Sequence, residues 1–385
     1  MKKLKYLLLT SSAPNSRSSR RFVERLDKRG HTVKVIHPDD FYLFLSESKG
    51  HDKIYLKSEE TRVYAKEYDR VIVRVGGSSY GRYVVRHLRI NIGIFVTTTD
   101  EGIELCFDKF KNAQYLSANR IKVIAQILAK EIKEENSNYL INLLKGLPVI
   151  MKILSGSQGL GVFLLESILS AGTTMEGISH FSKIVLLQRF IETKDDSERA
   201  SDIRIFIVDG VVVASMKRYS KPKQYRSNYT ISAMGEKYDP TDEQKELALD
   251  AAAVSKSLGV CGVDIMEDQD GINYVVEVNS NPGLKIEEVT GVNVVDKIID
   301  FSERGKLSKG AIERYEKFDI NAKVSKKGYY ATGKIEQTIL KKTGEKGRLF
   351  EIFNPSSGQT QFFDNTNNMI YRKNGTDFKS IDIIT

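Results

Sequence analysis

Two cysteines in 385 residues, Cys106 and Cys261, cannot build a disulfide framework and point to a reducing, cytoplasmic setting. The five histidines are scattered, with no zinc-like spacing. Long apolar runs are missing as well. Stretches such as Tyr6–Thr10 and Val71–Val75 are strand-length, whereas a membrane helix needs about 18–20 residues. Lys2, Lys3 and Lys5 precede only a handful of apolar residues, too few for a signal peptide, so this stretch reads as a first buried strand. What the chain has in excess is positive charge: 59 Lys and Arg against 50 Asp and Glu, a net +9. That balance suits an acidic or phosphate-bearing partner, and equally a merely soluble surface. The excess is concentrated at the end, where residues 302–385 hold 16 Lys and Arg against 10 Asp and Glu.

Hydrophobic periodicity predicts the organisation. Residues 4–9 read as a strand, residues 16–29 as a helix burying Phe22, Val23 and Leu26, and His31–Ile36 as a second strand. This βαβ start predicts a parallel sheet, extended by Asp69–Val75. Lys109–Ile121 reads as a helix, and Val123–Leu128, Pro148–Leu154 and Ile184–Ile191 as strands. Asp209-Gly210 between two apolar runs is a hairpin signal. Residues 242–258 form an alanine-rich helix, and Val260–Met266 and Ile272–Val278 a second hairpin. A helix over Val292–Phe301 follows, and from residue 302 the texture becomes that of a small β-rich module. The expected domains are 1–105, 106–190, 191–301 and 302–385.

Three features carry chemistry. Folding the 260–279 hairpin brings Asp264 opposite Glu277, and Asn279 shares the face of Glu277. Two carboxylates so close repel each other unless a cation lies between them, and hard oxygen ligands of this kind suit magnesium shared with nucleotide phosphates. The loop Gly156-Ser157-Gln158-Gly159-Leu160-Gly161 joins strand to strand, so it is neither a Walker nor a Rossmann loop. Its glycines let backbone N–H groups approach an anion, and Lys152 lies just upstream. Arg204, Lys217, Arg218 and Arg226 supply cations for carboxylate or phosphate recognition. The bland readings are a solvated strand pair, a flexible hairpin and a basic surface strip.

Residues 69–301, roughly three fifths of the chain, resemble the RimK-type branch of the ATP-grasp ligases. The matching segments run in order: Val73-Arg74-Val75-Gly76, Asp108-Lys109-Phe110, Val149-Ile150-Met151-Lys152 with its glycine loop, and Leu187-Gln188-Arg189-Phe190-Ile191. They continue through Asp202-Ile203-Arg204, Met216-Lys217-Arg218, Tyr225-Arg226-Ser227-Asn228, Gly262-Val263-Asp264-Ile265 and Glu277-Val278-Asn279-Ser280-Asn281-Pro282-Gly283. The resemblance implies an α+β ATP-grasp fold behind an N-terminal βαβ pre-ATP-grasp lobe, with ATP and magnesium (manganese as a substitute) as cofactors. It implies that Lys109, Lys152 and the loop residues Gly156, Ser157, Gln158, Gly159 and Gly161 hold phosphates, and that Gln188, Arg189, Phe190 and Ile191 hold adenine. It implies Asp264, Glu277 and Asn279 as metal ligands, and Arg226, Asn228 and Arg218 as catalytic groups. Arg204 and Lys217 would bind substrate, and Arg74 would help orient the acceptor.

The implied reaction joins a carboxylate acceptor, a protein or peptide, to an amino acid. Two departures stand out. Arg189 replaces a usual acidic residue, and Tyr229–Gly235 replaces a His-Arg-Gly-Gly-like stretch. The second removes a basic contact beside the amine, which argues against glutamate as the added amino acid. Alternatives are a small-metabolite ligase and a non-catalytic ATP-binding module. Nucleic acid is suggested only by the basic tail. Its aromatics, Tyr329 and Phe350 among them, are more simply the packing of a β module, since no nucleic-acid motif is present. A dimer or tetramer follows by analogy alone.

Overall fold

The computed structural model describes residues 3–48, 52–57, 62–63, 67–77, 79–153, 161–182, 184–193, 200–220 and 234–318. It also describes the backbone of four strands beyond residue 329. Gly156, Ser157, Gln158, Gly159, Arg226 and Asn228 lie outside the described residues. Two compact units divide between Ile312 and Glu313. The second unit carries a four-stranded antiparallel sheet in sequential order, Tyr330–Ile339, Lys346–Asn354, Gln359–Asp364 and Met369–Arg372. The change of composition at 302 therefore precedes the structural division. Ser302 is fully buried and Leu307 packs against the core of the first unit, because the amphipathic helix Val294–Arg304 runs through that point.

The first unit opens with the expected parallel sheet, ordered Thr32–Ile36, Lys5–Thr10, Arg70–Arg74 and Phe95–Val96. The helix Arg17–Lys28, N-capped by Ser16, buries Phe22 and Leu26 against it. The flank of the same helix carries arginines four residues apart. Arg21 meets Glu287 and Glu288 at 3.1 and 2.8 Å, Arg25 meets Asp296 at 2.9 Å, and Arg29 meets Asp296, Asp300 and Glu303 at 3.1, 2.6 and 3.2 Å. Their partners lie on the helices Ile286–Thr290 and Val294–Arg304. This i, i+4 ladder fixes the first lobe against the segment just after residue 283.

The central lobe is an antiparallel sheet ordered Val162–Leu165, Val149–Ile153, Ile184–Arg189 and Gln126–Lys130. One face, with Val149, Met151, Val185 and Leu187, buries against Ala171 and Met175 of the helix Ile168–Ser182. Sequence patterning did not anticipate this helix. The opposite face presents Lys152 and Gln188. The strand expected at Val123–Leu128 begins instead at Gln126. Residues 122–125 are drawn off by bonds to other elements: Val275 N–H donates to Lys122 O, and Arg189 N–H to Ala125 O, each at 2.9 Å. The strand expected to reach Ile191 ends at Arg189.

The large lobe is a five-stranded antiparallel sheet, ordered Met234–Lys237, Val211–Tyr219, Ser201–Val208, Val260–Glu267 and Asn273–Asn279. Asp209 and Gly210 both adopt positive φ (52° and 68°), the geometry of the expected tight hairpin. The helix Asp242–Val254 starts with a Thr241/Gln244 capping box and packs on the sheet face formed by residues such as Ile203, Val263 and Ile265. On the other face, apolar residues at one end (Phe206, Val208, Ala214) join the first lobe's core, and charged residues occupy the opposite end. Among the described residues no helix is long and apolar enough to cross a membrane.

Candidate active site

Register decides which charges share a face. Asp202 pairs with Arg218, Arg204 with both Met216 and Asp264, and Asp264 with Glu277. Side chains alternate along strands, so Arg218, Asp202, Arg204, Asp264 and Glu277 form one polar stripe across four strands. Lys217 is excluded by the same alternation. It faces away from Arg204 and Arg218, and its Nζ sits 5.4 Å from the Tyr219 ring centroid. A β-bulge between Asp264 and Ile265 locally re-aims the stripe.

The cation expected between the carboxylates is supplied first by guanidinium groups. Arg204 Nε and Nη2 donate to the two oxygens of Asp264, each at 2.7 Å. Arg218 Nη2 lies 2.8 Å from Asp264 Oδ2, and its Nε and Nη2 donate to both oxygens of Asp202 at 2.5 Å. Burial raises the Asp264 carboxyl, but Arg204 and Arg218 overrule it and hold the group well below the ordinary carboxylate range. Asp202 goes the other way: burial, helped by the charge of Asp264, raises it despite Arg218. Arg218 is held above its usual range because Asp202 and Asp264 outweigh the cost of burying it.

Glu277 is less buried, with 29% of its side chain exposed, and it pairs with Lys109 at 3.2 Å. Asn279 Oδ1 accepts from the Asn281 backbone N–H at 2.9 Å. A carboxylate offers about four acceptor positions and an amide oxygen two. Three N–H groups on Asp264 and one on Asn279 therefore leave an oxygen position on each, beside the more open Glu277. Two carboxylates and an amide oxygen are the donor set a magnesium ion takes. Gly262, paired with Asn279, keeps this end of the hairpin compact, since a Cβ there would lie 3.0 Å from the Pro282 side chain.

From the central lobe, Lys152 Nζ donates to Gln188 Oε1 at 2.6 Å. Burial, reinforced by the charge of Lys109 and opposed by Glu277, pushes the Lys152 ammonium down to about 8. Lys109 heads the helix Lys109–Ala118, whose N-cap is Asp108. Two lysines and the carboxylate stripe thus converge from separate lobes. Gly161 closes the glycine segment with φ 75°, its N-terminal neighbours being outside the described residues. Arg189 reaches across the lobe boundary and lies 5.3 Å from the Tyr274 ring centroid. Gln188 and Ile191 are buried. A cleft of about 260 Å³ flanks Arg189, Phe190 and Ile191, between the Leu147-Pro148 segment and the Asp268–Asp270 turn. Neither lysine nor any residue of the carboxylate stripe lines it. Arg74 comes from the first lobe and donates from Nη2 to Pro282 O at 2.7 Å. Two participants carry little signal in the sequence. Asp202 was legible only as an alternating neighbour of Arg204, and Asn281 only as part of a motif.

Residues 106–301 match the RimK-like ATP-grasp domain and residues 4–103 the RimK pre-ATP-grasp domain. A protein of Halorhodospira halophila named "Probable alpha-L-glutamate ligase" is 34% identical over 297 residues, covering 76% of this chain and 93% of that protein. The chain belongs to the RimK-like ATP-grasp family. It is an ATP-grasp carboxylate–amine ligase. Solved ATP-grasp structures share the fold. The ligase PsnB, complexed with a minimal precursor, superposes with a TM-score of 0.59 at 15% identity, covering 79% of this chain and all of that one. The D-alanine–D-alanine ligase of Bacillus anthracis, complexed with ATP, gives 0.56 at 19% identity, covering 82% and 99%.

Proposed function

We propose that this RimK-like ligase adds an amino acid to a protein or peptide carboxylate through an acyl phosphate. The reading rests on one observation above others: phosphate-type lysines, Lys109 and Lys152, converge with the Asp264–Glu277–Asn279 oxygen set. The γ-phosphoryl group of ATP passes to the acceptor carboxylate and ADP leaves. The amine then attacks the acyl carbon, phosphate departs, and the amide forms with loss of a proton.

Asp264, Glu277 and Asn279 would hold magnesium, which when bound neutralises charge on the phosphates. Lys109, Lys152 and the segment Gly156, Ser157, Gln158, Gly159 and Gly161 hold the phosphates. The backbone of Gln188, Arg189, Phe190 and Ile191 takes the adenine, with Arg189 N–H already committed to Ala125. Arg218 balances charge as the phosphoryl moves, and Arg204 reads a substrate carboxylate or phosphate. Arg226 and Asn228 stabilise the tetrahedral intermediate. A protein or peptide acceptor is favoured by the extra basic unit beyond Ile312 and by the precursor-bound relative PsnB. The missing basic stretch at 229–235 favours an amine other than glutamate, although curated relatives carry glutamate ligase names.

The test is ADP release together with mass spectrometry of candidate acceptors given ATP and mixed amino acids. ADP release that requires both a carboxylate and an amine, with the acceptor gaining one amino-acid residue less water, is expected. Nucleotide binding without turnover across wide panels sinks the reading.

Lys152 adds a pH signature. Its charged form, needed for a phosphate contact, predominates below about 8. Nucleotide affinity should fall as pH rises past that value, by up to about tenfold per unit for one proton. Lys152→Arg, charged throughout, should flatten the profile in titrations from pH 7 to 9.5. Stability has the opposite sign. The folded state holds this proton less tightly than the unfolded chain, so stability contributed here rises with pH above about 8.

A further inference from the structure

Arg74 is a buried guanidinium with no carboxylate partner among the described residues. Only 8% of the residue is exposed, and Nε and Nη1 have no hydrogen-bond partner. Nη2 alone is engaged, with the Pro282 carbonyl. Burial pushes the group down to about 10, with no carboxylate offsetting it. Such an arrangement costs several kcal/mol. It stands at the C-terminal edge of the parallel sheet, where open α/β sheets place their ligands.

A second orphan adjoins it. Asn281 Oδ1 is buried with no donor among the described residues, and Asn281 immediately precedes the Pro282 that Arg74 grips. The Asn281 backbone N–H is already given to Asn279, at the metal end of the hairpin. The unmet demands at this junction are therefore of two kinds: cationic N–H donors seeking an anion, and a neutral oxygen seeking a donor. An ionised acceptor carboxylate answers only the first and sets its lone pairs against Asn281 Oδ1. A simple amine answers only the second. A zwitterionic head group answers both.

We propose that Arg74 and Asn281 form the clamp for the α-amino-acid head group of the incoming amine. Arg74 donates its unpaired N–H groups to the α-carboxylate. Asn281 Oδ1 accepts from the α-amino group and aims it toward the metal end of the hairpin. This moves Arg74 from the acceptor, where family resemblance put it, to the amine. It rests on the ligase reading and deepens it by naming the residues that read the head group of the amino acid.

The test compares an α-amino acid with the amine obtained by removing its carboxylate, at saturating ATP and acceptor. The wild-type enzyme should prefer the amino acid by about 100-fold in kcat/KM, the scale of one buried charge-assisted contact. Arg74→Met should collapse that preference to within a few-fold, mainly through KM of the amino acid, with a far smaller loss on the decarboxylated amine. Asn281→Leu should weaken both amines and preserve the preference. Equal losses on both amines in Arg74→Met, or a preference that survives it, overturn the proposal. If Arg74→Met does not fold, Arg74→Lys keeps a cation on a packable stem and should lose part of the preference. A wild-type enzyme that releases ADP without preferring the amino acid refutes this inference alone. One that turns over with no amine at all refutes the ligase reading instead.

Discussion

Glu277→Ala should abolish ligase turnover and leave the fold standing. Of the three proposed metal ligands, Glu277 is the one whose removal separates chemistry from stability. Its side chain is 29% exposed, and its partner Lys109, at 3.2 Å, is 43% exposed. A pair so solvated contributes at most about 1 kcal/mol, so the melting temperature should barely move. The catalytic loss should be far larger. A metal ion supplies several kcal/mol of charge stabilisation, and about 4 kcal/mol corresponds to roughly a thousandfold in rate. ADP release and thermal melting of the same preparation measure both. Activity within tenfold of wild type would remove Glu277 from the metal site.

Arg218→Ala should instead strike stability first. Arg218 is the hinge of a buried quartet: it holds both oxygens of Asp202 at 2.5 Å and one of Asp264 at 2.8 Å. Removing it leaves Asp202 as a buried carboxylate robbed of its fork, while Asp264 retains Arg204. Breaking a buried pair from one side typically costs about 3–5 kcal/mol. The loss should be pH-dependent. In the wild type, Asp264 is held low, so its contribution is present above the unfolded pKa and fades as pH falls. Asp202 is raised, so the stability it contributes is present below its unfolded pKa and is lost as pH rises through its folded value, where the buried group must ionise. Without Arg218 that second effect dominates, and the gap between variant and wild type should narrow on acidification as Asp202 takes up a proton. Denaturant melts at two pH values read this directly. Arg218→Lys should recover only part of the stability, because an ammonium cannot reproduce the fork that grips both carboxylates. A variant as stable as wild type at neutral pH would show that the quartet does not hold the sheet.

Both experiments turn on charges the sequence displayed, yet it displayed them unevenly. The parallel sheet of the first lobe, the Asp209-Gly210 hairpin and the opposition of Asp264 to Glu277 were legible because each depends on local periodicity and turn chemistry. Strands alternate with a period of two, and a tight turn fixes register, so residues a dozen apart could be set facing each other. The helix Ile168–Ser182 was not legible. It is apolar, with weak amphipathic contrast, and its buried side is defined by the sheet beneath it rather than by its own pattern.

The sequence by itself determined the family and singled out the candidate oxygen donors and lysines. These are properties of residue type and spacing, and short-range geometry preserves them. Only the tertiary structure decided what neutralises the carboxylates. Arg204 and Arg218 reach Asp264 from two different strands, a consequence of sheet pairing between segments some 45–60 residues apart that no local rule specifies. Tertiary structure also turned Lys217 away from that stripe and buried Arg74 beside Asn281, more than two hundred residues further along the chain. Burial is a property of the assembled lobes. A guanidinium becomes a demand for an anion only once its water has been removed, and that removal is carried out by segments far apart in the chain.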